Sequence, residues 1–224
     1  MICFFLLKDP YHLAQRVLRR VSHGALATLS VEQDGWPFAS AVSLVAQPDG
    51  CPAFLISGLA EHTRNLRADP RASLLMVDPY APAEGAPRLS LMGHAEPVTL
   101  DTLAQARFVR LHPAAEQYLS FGDFSFWQLR PERLRLIGGF GAAGWVTGSR
   151  YCNAPALSLA DEARLLAELG GEMAGGDTLL GVDAYGADGC DGNGQRWRDQ
   201  FNAPCTSVEA VRAAWAGRRR CGGE

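Results

Sequence analysis

Leu13, Val17, Leu18 and Val21 fall at helical spacing, behind an Asp9-Pro10 start. Asp9 suits the N-cap and Pro10 the first helical position, so the pattern predicts a helix over Pro10–Val21, ended by Gly24. The period then changes. Ala25–Val31, Phe38–Val45, Ala53–Ser57, Ala72–Val77 and Arg88–Val98 are short apolar-rich stretches. Gln33-Asp34-Gly35, Pro48-Asp49-Gly50 and the Pro-rich loop Pro79–Pro87 separate them. Hairpin-length turns predict antiparallel pairing, and many short strands predict a barrel or sandwich. Leu100–Leu111 reads as a helix with Leu100, Leu103, Phe108 and Leu111 on or near one face, and Pro113 follows it. Phe124–Leu129 and Arg133–Ile137 read as the last two strands, and the Gly-rich segment Gly138–Gly148 follows.

The texture changes near Tyr151. Asn153–Ser158 reads as a linker, and Ser158 with Asp161 resembles a capping box for a helix through Leu169. Leu179–Tyr185 and Gln195–Phe201 are candidate strands on either side of a turn-rich stretch, and Ser207–Arg219 is a final helix. The expected fold class is mainly β with flanking helices. An antiparallel barrel covers residues 1–150, and a small α/β module covers residues 151–224.

One segment combines this pattern with candidate chemistry. In Phe54–Met76 a strand ends at Ser57, Gly58 breaks it, and a polar helix Glu61–Ala68 follows until Asp69-Pro70 stops it. His62, Thr63, Arg64 and Asn65 therefore occupy the first helical turn, where free N–H groups and the helix dipole suit a phosphate. Arg64 would add a forked donor and Thr63 a hydroxyl. The competing reading makes Arg64 and Arg67 solvated charges on a surface helix.

Composition narrows the classes. The 224 residues are 47% hydrophobic, enough for a good core. A formal charge of −3 gives no reason to expect nucleic acid or an anionic membrane as partner. Met1–Leu7 is apolar but too short to span a bilayer and lacks the basic leader of a secretory signal. Six cysteines, at 3, 51, 152, 190, 205 and 221, include no CxxC and no zinc-finger spacing. Reduced thiols in a cytoplasm are the expectation. Gly139–Gly144 spells GxGxxG, but no helix opens after it and no βαβ unit surrounds it, which excludes a dinucleotide fingerprint. Asp188–Gly194 lacks the ligand spacing of a calcium loop and reads as a tight turn. The five histidines are dispersed, and no serine has a sequence-evident base.

The segments Gly24–Val45, Leu59–Leu75, Arg88–Val98 and Phe121–Gly141, together with Trp145, resemble the pyridoxamine 5'-phosphate oxidase-like FMN-binding split barrels. The EHTRNL and DPR segment, followed by FGDF and GGFG, is most similar to their haem-utilisation branch. The resemblance implies a split barrel. It also implies a homodimer with the cofactor at the subunit interface and an FMN-dependent oxidoreductase of unknown substrate. Residues implied to contact the cofactor are Ser40, Ser43, Ser57, His62, Thr63, Arg64, Asn65, Arg88 and Trp145. Arg88 falls where relatives reach the partner subunit's flavin.

The sequence also departs from those relatives. Ser40 and Val45 stand where oxidases place a phosphate-binding arginine and a substrate-side lysine, and Glu61-His62 replaces an Arg-Lys pair. The C-terminal grips for pyridoxamine phosphate have no counterpart, so oxidation of that substrate is not expected. The haem alternative has its own gap. Relatives of the haem branch place an axial histidine in the C-terminal module, and this chain has no histidine after His112. His62 or a cysteine would have to substitute. A third reading is a binding or structural dimer without redox chemistry.

Overall fold

The computed structural model describes residues 10–138, 143–170, 173 and 176–218. Met1–Leu7, Cys3, Cys221 and most of the GxGxxG stretch lie outside the described residues.

The elements run α1 (Pro10–Arg20), β1 (His23–Leu29), β2 (Pro37–Ala46), β3 (Pro52–Ser57), α2 (Glu61–Ala68), β4 (Arg71–Val77) and β5 (Arg88–Pro97). They continue as α3 (Thr102–Leu111), α4 (Ala115–Leu119), β6 (Phe124–Ile137), β7 (Ala143–Thr147), α5 (Gly148–Cys152) and α6 (Leu159–Leu169). The last are β8 (Thr178–Asp183), β9 (Gly186–Cys190), β10 (Arg196–Gln200) and α7 (Val208–Arg218). They form two units. One comprises residues 1–100 and 112–154, and the other comprises residues 101–111 and 155–224. The helix α3 thus belongs to the second unit although it interrupts the first in sequence.

The first unit is an antiparallel barrel. Its strand order is β3-β2-β1-β4-β5-β6, and β6 pairs back onto β3 to close it; β7 adds to the free half of β6. Strand periodicity of two sorts the side chains. Leu26, Leu74, Leu91 and Leu134 face one another across four strands, and each is fully buried. They form the middle of a core that also holds Val42, Leu44, Phe54, Met76 and Trp127. The neighbouring register row points outward: Ala25, Leu75, Ser90, Arg135 and Trp145.

Two expected strands are one. Phe124–Leu129 and Arg133–Ile137 form a single 14-residue β6, because Pro131 falls at a bulge and not at a break. Met92 pairs with Arg133 and Gly93 with Pro131, which leaves Glu132 as the extra residue.

The second unit carries a three-stranded sheet of order β10-β9-β8 over a core of Leu165, Val182, Phe201 and Val211. Ser158 caps α6 as expected, accepting from the Asp161 N–H. The stretch expected to be a turn is in part a strand: Gly186–Cys190 is β9, the middle of this sheet. Two glycines disguise it. Gly186 lies against the Asp199 carbonyl and Gly189 against the Trp197 ring, where a Cβ would fall 2.1 Å from an atom in each case. Among the described residues, no helix is long and apolar enough to cross a membrane.

Candidate functional site

The expected anion site divides into parts committed elsewhere. Thr63 is fully buried, and its hydroxyl donates to the Ser57 carbonyl at 2.6 Å. Asn65 is fully buried too. Its side-chain oxygen accepts from the Val31 N–H at 3.0 Å, and its amide donates to the Thr28 hydroxyl at 3.0 Å. These two residues tie α2 to the barrel. Ser57 donates its hydroxyl to the Asp123 carboxylate, so an anionic group borders the strand end where a phosphate was expected. Arg64 pairs with Glu32 at 2.7 Å and also donates to the Leu59 carbonyl. Sequence spacing placed these groups in one helical turn. It could not show that half of that turn faces inward.

Ser40 and His62 do come together: Ser40 Oγ lies 2.9 Å from His62 Nδ1. The Nε2 of His62 is covered and has no partner among the described residues. Burial pushes the imidazole below its ordinary value of 6.5, since a charged ring would lose solvation there. The sign follows from linkage. A histidine whose folded value is depressed contributes stability that is complete above its unfolded value and is lost as pH falls from 6.5 through the folded value. Thermal midpoints measured between pH 8 and pH 5 are therefore expected to fall more steeply in the native chain than in a His62→Gln variant. Parallel curves would show that His62 takes no part.

The other expected contacts lie on the barrel's outer face. Ser43 pairs with His23 across β1 and β2. Arg88 opens β5 opposite Val77 and Ile137 and is exposed. Trp145 is 57% exposed, with the Arg135 guanidinium 5.5 Å from its ring centroid. None of the three touches the Ser40–His62 pair through any described hydrogen bond.

What the sequence did not reveal is an open cleft of about 350 Å³ on this outer face. Its lining includes the apolar or weakly polar residues Ala27, Leu29, Ser73 and Met92. Ala27, Ser73 and Met92 sit in one register row across β1, β4 and β5. His94 and Glu132 form its wall, with Glu132 Oε1 3.2 Å from His94 Nδ1. The bulge explains the pair. An extra residue in β6 turns the Glu132 side chain toward the face that carries Met92 and His94. The basic residues Arg71 and Arg133 flank the cleft, Arg71 paired with Asp69 and Arg133 opposite Met92. Among the described residues there is no group of three or more His, Cys, Asp or Glu that could hold a metal ion directly.

A closed six-stranded antiparallel barrel with an added seventh strand defines the class of the first unit: a split barrel. The model of the CREG beta-barrel family matches residues 8–153, and the chain belongs to that family. It is 34% identical over 137 residues to the chloroplastic non-canonical heme oxygenase HOZ of Arabidopsis thaliana, a match that covers 60% of this chain and 42% of that protein. The chain thus spans less than half the length of that relative. It is 27% identical over 137 residues to the heme oxygenase HutZ of Vibrio cholerae, covering 58% of this chain and 77% of that one. A heme binding protein from Mycobacterium smegmatis has a similar structure: 32% identity, a TM-score of 0.61, and coverage of 96% of this chain and 98% of that one.

Proposed function

We propose that this chain is a haem-binding protein of the haem-utilisation type, and that it takes haem on the outer face of its barrel as a two-fold dimer. The observation that carries the reading is the composition of the cleft. A lining that includes Ala27, Ser73, Leu29 and Met92 leaves room for a flat ring to approach the sheet. Exposed arginines at its edge, Arg71 in the lining and Arg133 opposite Met92, suit the two carboxylates of a porphyrin. Three relatives whose names speak of haem support the same choice.

FMN fits these residues less well. The groups expected to hold its phosphate donate to protein acceptors, and Asp123 beside Ser57 would repel a phosphate. Bound haem would supply redox and dioxygen chemistry. The chain's own residues bind the ring, orient it and screen one face from water.

The dimer reading rests on the same surface. Leu75, Val77 and Trp145 are 41%, 48% and 57% exposed there, beside the small outward residues Ala25 and Ala41. A second copy would cover this apolar strip about a two-fold axis.

Filling the cleft tests the site. Ser73 lies in the lining, between Ala27 and Met92 in register, and is only half-buried. Ser73→Trp is expected to leave the circular dichroism spectrum unchanged. It should weaken haem uptake by at least about tenfold, equivalent to about 1.4 kcal/mol. Unchanged uptake would place the haem elsewhere.

A further inference from the structure

On the haem-binding reading above, the geometry points to His94 as the side chain that ligates the haem iron, with Glu132 as the residue that positions it. Residues 151–224 contain no histidine, so an imidazole ligand supplied by this sequence comes from the barrel unit. His94 is the histidine that lines the outer cleft, and its side chain is 48% exposed there. The Glu132 carboxylate 3.2 Å from Nδ1 favours the tautomer that carries its proton on Nδ1. The Nε2 lone pair is then left for a metal. A carboxylate behind a histidine is a recurrent arrangement at metal sites, where it fixes ring orientation and raises ligand basicity.

The strand pairing makes this pair a built feature. His94 stands between Arg71 on β4 and Arg130 on β6, and the β5–β6 bulge inserts Glu132 beside it. Gly93 permits the bulge, since a Cβ there would fall 1.8 Å from the Arg130 carbonyl oxygen.

His62, His112, Cys51 and Cys152 are engaged elsewhere, and the exposed His23 lies outside the cleft lining. His62 Nε2 is buried, and its Nδ1 meets Ser40. His112 Nε2 lies 3.0 Å from the Leu44 carbonyl oxygen. Cys51 and Cys152 face each other, with their sulfurs 4.0 Å apart. A hydrogen bond donated to Cys152 and burial both push the Cys51 thiol up, away from the thiolate that haem iron prefers, and the same bond pulls the Cys152 thiol down while turning its sulfur toward Cys51.

The bland alternative is a surface ion pair of little consequence. Three chains separate the two: the native protein, His94→Ala and Glu132→Gln, each loaded with haemin. The native ferrous complex should show an iron–histidine stretching band by resonance Raman spectroscopy. His94→Ala should lose that band and bind haem about 100-fold more weakly, and added imidazole should restore the native spectrum. Glu132→Gln should keep the band at lower frequency, with about tenfold weaker binding, as expected when the group behind a ligand is changed. Its haem midpoint potential should rise, because a less basic imidazole stabilises ferric iron less. Circular dichroism checks that each variant folds.

A His94→Ala complex with native spectrum and affinity would overturn the assignment and leave haem binding standing. Loss of the band in His62→Ala but not in His94→Ala would likewise overturn it. A native chain that takes up no haem would overturn both this assignment and the reading beneath it.

Discussion

Replacing Arg198 by methionine is expected to destabilise the second unit by about 3–5 kcal/mol at neutral pH. The side chain of Arg198 is 1% exposed and bridges the sheet: one guanidinium nitrogen lies 2.6 Å from Asp188 and the other 2.9 Å from Asp183. Nearby, Arg107 lies 3.0 Å from Glu162, both nearly buried, and 4.0 Å from Asp183. Burial alone would lower the Arg198 value, but the two carboxylates more than reverse this and hold it above its ordinary range. Methionine fills similar space and leaves two buried carboxylates beside Arg107, which is already paired with Glu162.

The defect should depend on pH with a definite sign. Burial already pushes the Asp188 carboxyl up, and Arg198 opposes that shift. Without Arg198 the folded-state value rises further above the unfolded one. The neutral carboxyl is then tolerated at low pH, and stability is lost as pH rises. Urea unfolding at pH 5 and pH 7.5 should therefore show the larger deficit at pH 7.5. Hydrogen exchange localised to β8–β10 distinguishes this unit from the barrel, which need not unfold with it. A deficit below about 1 kcal/mol, the range of surface pairs, would show that the network contributes little.

Gly93→Ala is expected to cost the barrel about 3 kcal/mol or more, the upper end for overpacking. The added methyl would meet the Arg130 carbonyl oxygen at 1.8 Å, its carbon at 2.8 Å and the Pro131 Cα at 3.1 Å. These are backbone atoms of the neighbouring strand and cannot rotate aside as a side chain would. The pairing of β5 with β6 must open at the bulge. Gly122→Ala is the control, since a Cβ there meets nothing within 4 Å, and it should stay within about 0.5 kcal/mol of the native chain. Denaturation midpoints decide between these outcomes. Equal midpoints for the two variants would mean that the bulge relaxes freely.

The strand framework was legible because its signals are local. Alternating burial in β1 and β4, turn glycines and the Ser158 cap each fall within a few residues. Pro131 misled the reading of β6, because a proline in a strand looks like a boundary unless the bulge that accommodates it is known. Gly186 and Gly189 misled the reading of β9 for a similar reason: the neighbours that exclude side chains there come from β10. The helix α2 lies over Glu61–Ala68, as the Gly58 and Asp69-Pro70 boundaries implied. The inward orientation of Thr63 and Asn65 was not readable from spacing. The cleft was invisible because its lining draws on β1, β4 and β5, and the partner of His94 is 38 residues away in sequence, on the far side of α3 and α4. A lone histidine on an alternating strand carries no signal of a carboxylate that a bulge turns toward it.

This barrel is proposed to hold haem between two copies. The most direct test supplies the purified chain with haemin and FMN together in equal excess, removes unbound material by gel filtration, and records the visible spectrum and the light-scattering mass of the same peak. A Soret band on a species of two chains is the expected result. Paired flavin bands, or a colourless protein of single-chain mass, would contradict it.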